Sequence, residues 1–148
     1  MNQQLLEQKY THYQSQGASI FAATLSTFVK SGAFAASDRM RHYWDNHFIF
    51  RVRKCLPKHK RTKLDHDWVL EESPDGFYHY HGLFAVERKY ERRIWRDGAE
   101  HPKLKRAIDS HASLGKYRCF RVKKHQIEPV YDIARWSSYI TKQVDVYQ

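Results

Sequence analysis

The chain has 148 residues, the usual size of one domain, enough to bury a core without staples. Lys and Arg number 26 against 16 Asp and Glu, a formal net charge of +10, and aromatic residues make up 15%. Cations neutralise phosphates and aromatic rings stack on unpaired bases, so nucleic acid is the expected partner, ahead of an acidic membrane surface. Cys55 and Cys119 match neither a zinc spacing nor a disulfide framework. No apolar run is long enough to span a bilayer, and MNQQLLEQKY lacks the basic-then-apolar order of a signal peptide. A cytoplasmic protein is expected.

Residues 2–15 read as a helix, with Leu6, Tyr10 and Tyr13 at helical spacing and Gly17 at its end. Residues 18–30 carry Ile20, Phe21, Leu25, Phe28 and Val29 and predict a second, more amphipathic helix, closed near Gly32. Ser37 can cap a third through Met40, Tyr43 and Trp44. The expected role of this helical region, 1–46, is packing on a sheet. Residues 47–54, HFIFRVRK, alternate between Phe48, Phe50, Val52 and Ile49, Arg51, Arg53, which predicts a central strand. The basic run after it, with Lys58, Lys60, Arg61 and Lys63, is a candidate for phosphate contacts, together with Arg51 and Arg53.

Residues 66–72 and 77–86 predict a hairpin across Ser73-Pro74-Asp75-Gly76. ERKYERRIWR (87–96) fits a short basic helix or a strand extension. Pro102 suits the first turn of a helix to about Ser113, with Leu104 and Ile108 inward. Residues 116–127 alternate as a strand, and Asp132 can cap a last helix to about Gln143. The expected class is α+β, one antiparallel sheet with helices on its faces, in a single domain over 1–148.

Two stretches carry chemistry. His79 and His81 lie one residue apart on the second hairpin strand and share a face. With Gly76 in the left-handed position of a three-residue loop, Ser73 pairs with Phe77 and Glu71 faces His79, so Glu71, His79 and His81 converge. A two-residue turn would oppose Glu72 to His79 instead. Two imidazoles and a carboxylate leave coordination positions open for a substrate. On the last helix, Ile133, Trp136, Ile140 and Val144 form an apolar stripe, and Arg135, Tyr139 and Lys142 fall opposite. A phenol flanked by cations is a candidate nucleophile, helped by Lys142 and a nearby metal.

HYHGLF resembles the His-hydrophobe-His motif of the HUH endonucleases, and YITK resembles the Tyr-x-x-Lys motif of their rolling-circle replication initiators. Glu71, eight residues before the first histidine, resembles a carboxylate of small viral members. The resemblance covers about residues 47–143. It implies a five-stranded antiparallel sheet related to the RNA-recognition-motif fold. His79, His81 and Glu71 would hold Mg²⁺ or Mn²⁺, and Tyr139 would attack a phosphate of single-stranded DNA. The products would be a 5′-phosphotyrosyl link and a free 3′-hydroxyl, with Lys142 assisting and Arg135 among the DNA contacts. A host helicase and polymerase would act as partners, in a bacterial or archaeal cytoplasm. A single-tyrosine transposase or a mobilisation relaxase of the same superfamily, or a non-catalytic single-strand binding module, are the alternatives. One motif tyrosine argues against a two-tyrosine mechanism, and no GxxxxGK[ST] sequence exists, so no helicase domain is expected.

Overall fold

Asn2 starts the first helix by accepting a hydrogen bond from the Leu5 amide at 2.8 Å, which satisfies one of the free N–H groups of the first turn. Helix α1 runs Gln3–Ser15 and ends at Gly17, whose φ of +89° only glycine adopts without strain. The computed structural model describes residues 2–30, 42–58, 64–112 and 122–142.

The next segment departs from the helix expected at 18–30. It is a 13-residue strand, β1, Ala18–Lys30. Both of its faces are covered, since Ile20 and Ala22 are as buried as Phe21, Ala23 and Leu25. A strand buried on both sides does not alternate, and its apolar residues then imitate helical spacing. The converse departure falls at 47–54, helical where a strand is expected. A π-helical turn, Trp44–Phe48, leads directly into helix α2, Ile49–Lys54. Trp44, Phe48, Ile49, Val52 and Leu56 form its buried stripe, while Phe50 is exposed. The alternation in HFIFRVRK was a fragment of that longer stripe. Ser37, Met40, Lys60, Arg61 and Lys63 lie outside the described residues.

The hairpin forms as expected from β2, Asp65–Glu72, and β3, Phe77–Glu87. Glu71 pairs with His79 and Glu72 with Tyr78. The Ser73 amide donates to Phe77 O at 3.0 Å, and Gly76 sits at φ +87°. A 3₁₀ helix at Arg88–Arg93 then leads into a small ribbon, β4 Trp95–Arg96 and β5 Ala99–Glu100. Helix α3, Pro102–Ala112, strand β6, Val122–Pro129, and helix α4, Ile133–Thr141, complete the described chain.

The class is α+β. Among the described residues the main sheet is antiparallel with four strands in the order β2-β3-β1-β6, against about five expected, beside the separate β4–β5 ribbon. Leaving out α1, the ribbon and α4, the succession β1-α2-β2-β3-α3-β6 with this order is the split βαβ arrangement. Helices α2 and α3 cover one face, where Phe21, Leu25, Tyr80 and Phe84 meet Trp44, Phe48, Val52, Leu104 and Ile108. Helices α1 and α4 cover part of the other, through Leu6, Tyr10, Ile133 and Ile140 on Ile20, Ala22 and Leu83. The N-terminal third thus supplies an interior strand of the sheet, beyond its helical start.

Under α2, Trp44 Nε1 donates to His66 Nδ1 at 3.1 Å, so that nitrogen must be unprotonated. Burial holds the His66 pKa below its ordinary value, against an opposing pull from Asp45. An unfolded chain therefore takes up a proton near pH 6.5, where the folded one does not. This contribution to stability is complete above about pH 6.5 and is lost as the pH falls from there to the folded pKa. Urea melts between about pH 7.5 and 5 should show stability falling on acidification. His66→Gln, which can still accept from Trp44, should remove one proton's share of that slope; an unaltered slope would count against the assignment.

Candidate active site

The face partly covered by α1 and α4 presents Glu71 and Val69 from β2, His79 and His81 from β3, and Thr24 and Ser26 from β1, as the pairing dictates. His81 is 5% exposed. Its cross-strand partner Thr24 places Oγ1 3.3 Å from Nδ1. The Glu71 carboxylate reaches diagonally across the hairpin and contacts Nε2 directly. Burial lowers the His81 pKa, with Glu71 opposing and His79 and Lys142 adding to the fall. The ring is thereby kept neutral, the form that binds a metal.

His79 turns elsewhere. Its Nε2 lies 3.0 Å from Asp75 Oδ2, while Asp75 Oδ1 accepts from the Phe77 amide at 2.9 Å. Asp75 of the turn thus reaches back over the strand. The rings of His79 and His81 are 6.4 Å apart. Next to His79 the β1–β3 register shifts between Ser26 and Lys30, a bulge of the kind that re-aims side chains beside active sites.

Helix α4 brings the phenol. Asp132 caps it by accepting from the Arg135 amide at 3.0 Å. Ile133, Ser137, Ile140 and Thr141 face inward, and Arg135, Tyr139 and Lys142 face outward. Tyr139 is 41% exposed. Its ring meets His81 edge-on at 5.2 Å and Trp136 at 5.8 Å. Lys142 Nζ lies 4.3 Å from the Tyr139 ring centroid, a cation–π contact. Beside it opens a groove of about 340 Å³ lined by Glu128, Arg135, Trp136 and Tyr139.

The structure therefore brings together Glu71, His81, Tyr139 and Lys142, with His79 one strand position away and Arg135 on the groove. Glu72 faces Tyr78, whose hydroxyl lies 3.3 Å from its Oε1, and it stays out of the site. Arg51 and Arg53 lie on α2, across the sheet from His81, and Lys58 just beyond that helix; none lines the groove. Thr24, Asp75 and Trp136 were not expected here. Thr24 is visible only if 18–30 is read as a strand, and Asp75 only as a turn residue four positions before His79.

Among the described residues no three His, Cys, Asp or Glu side chains are already arranged to hold a metal ion. The feature that fits a cation is the pairing of the buried His81 Nε2 with the Glu71 carboxylate, an imidazole and a carboxylate donor side by side. Protein-family models, curated proteins and solved structures all yield no match to this chain.

Proposed function

We propose that the chain is a metal-dependent single-stranded DNA nicking and joining enzyme of the rolling-circle initiator type, with Tyr139 as nucleophile. One observation carries the reading. The histidine strand and the Tyr-x-x-Lys helix, 58 residues apart between His81 and Tyr139, meet ring to ring at 5.2 Å.

Each residue has a role that follows from its place. Tyr139 Oη attacks the scissile phosphorus; the Oη–P bond forms and the P–O3′ bond breaks. The phenol proton passes, in net terms, to the departing 3′ oxygen, leaving a 5′-phosphotyrosyl link and a free 3′-hydroxyl. Lys142 offsets the charge that gathers on the phenol and the phosphate. Arg135 and Trp136 on the groove suit a phosphate and an unpaired base. Glu71 and His81, joined by His79 once it leaves Asp75, would hold Mg²⁺ or Mn²⁺, which when bound polarises the scissile phosphate. Thr24 fixes the His81 ring so that Nε2 is the nitrogen offered. The reverse step joins strands.

Incubation with Mn²⁺ and a pool of single-stranded oligonucleotides, including any origin or hairpin sequence beside its own gene, should give a covalent adduct that survives denaturing electrophoresis. Chelation should abolish it, and Glu71→Gln should lower it about a hundredfold by weakening metal affinity. Failure to form an adduct with any cognate sequence would sink the reading. The attachment of His79 to Asp75 favours a second reading, a basic single-strand binding module whose histidines are structural. Binding that chelator leaves unaffected, with no cleavage, would select it.

A further inference from the structure

Residues 88–106 hold eight of the 26 Lys and Arg and only three of the 16 Asp and Glu, half of the whole net charge. The fold gathers them. Asp97 and Gly98, at φ +57° and +77°, make the two-residue turn of the β4–β5 ribbon. The His101 amide closes back on Ile94 O at 2.7 Å, which brings the end of the 3₁₀ helix against the start of α3. Ile94, Leu104 and Ile108 anchor this unit in the core, so it is a rigid base. Arg93, Arg96, Lys103 and Arg106 are exposed on it. Partial burial, then the fields of these four cations, lower the His101 pKa.

Two of the nearby carboxylates, Glu100 and Asp109, are engaged by His125. Glu100 lies 2.8 Å from His125 Nε2, and Asp109 lies 3.2 Å from His125 Nδ1, against the edge strand β6. Among the described residues, the ion-pair partner of Arg96 is Asp97, loosely placed at 3.7 Å. Among the described residues no carboxylate pairs with Lys103 or Arg106. The patch also differs in kind from the Tyr139 groove. Tyr90 and Trp95 pack against the core. Among the described residues the exposed large apolar side chains are Leu5, Phe28, Phe50, Tyr131 and Tyr139, all outside this segment. Exposed cations beside rings that are partly buried suit a phosphate backbone, whereas unpaired bases need open rings to stack on.

We propose that the ribbon and the first turns of α3 form a second nucleic-acid surface, which binds the phosphate backbone of duplex DNA on the face of the sheet opposite Tyr139. It would hold the double-stranded flank of a site whose single strand lies at the groove. The binding itself is independent of the tyrosine chemistry and is measured without cleavage.

The test is Lys103→Gln/Arg106→Gln in the full chain, its fold checked by thermal melting. Affinity for a 20-base-pair duplex of arbitrary sequence should fall roughly tenfold at 0.1 M salt, and the slope of log K against log salt should become shallower by about 2. Affinity for a single-stranded 12-mer should stay the same. Three results would overturn the proposal: unchanged duplex affinity, an equal loss on the single strand, or a loss seen only on phosphatidylserine vesicles. Tyr139→Phe should bind the duplex as the native chain does. If the native chain forms no adduct while the duplex result holds, the nicking reading fails and this surface stands.

Discussion

Tyr139→Phe should abolish the covalent DNA adduct while leaving the fold intact. The substitution removes one atom, Oη, and keeps the ring that contacts His81, Trp136 and the Lys142 ammonium. At 41% exposure the hydroxyl is not a buried group whose loss strands a partner. Stability should therefore change by no more than about 0.5 kcal/mol. Adduct formation should fall by at least about a thousandfold, as expected when the nucleophile itself is lost. Lys142→Gln should be milder, roughly a hundredfold slower, since it removes charge stabilisation and leaves the bond-forming atom. Tyr131 provides the control. It is 84% exposed on the turn before α4, so Tyr131→Phe should react as the native chain does. Adduct persisting in Tyr139→Phe and vanishing in Tyr131→Phe would move the nucleophile and overturn the assignment.

The two halves of that site were legible because each is a local pattern. Turn chemistry at Ser73–Gly76 sets the register, and the register decides which carboxylate joins the histidines. A capped helix with one apolar stripe shows its polar side directly, and α4 has both features. β1 was not legible, because burial on two faces erases the alternation that marks a strand. Thr24 was lost with it. α2 is not legible in 47–54 because its buried stripe begins at Trp44, ahead of that stretch, and only part of it shows there. The Asp75–His79 contact depends on which way two side chains turn, and periodicity carries no signal for that. The meeting of Tyr139 with His81 is a property of tertiary packing. It follows from α4 crossing the face on which Thr24, Glu71 and His81 lie.

Gly82→Ala should be among the most destabilising single substitutions in the chain, although it adds only a methyl group. Gly82 follows His81 and has no left-handed φ, so the reason for glycine is space. A Cβ there would sit 2.6 Å from Trp44 Cζ2 and 2.7 Å from the Asp67 carbonyl oxygen. Trp44 is fully buried, packed against Phe48 at 4.6 Å and Tyr80 at 5.8 Å, and held by its bond to His66, so the indole has nowhere to go. The carbonyl belongs to β2 and cannot move without straining the β2–β3 ladder. Overpacking of this kind costs about 3 kcal/mol. In a domain of this size that lowers the melting temperature by about 10 °C. Trp44→Phe alone should also destabilise, by opening a cavity, but the two changes together should cost less than their sum, since the smaller ring relieves one of the two clashes. Strict additivity would show that the indole is not what excludes the methyl. The displacement of β3 also moves His81 relative to Tyr139. Adduct yield from Gly82→Ala, measured well below its melting point and corrected for folded protein, should therefore fall as well.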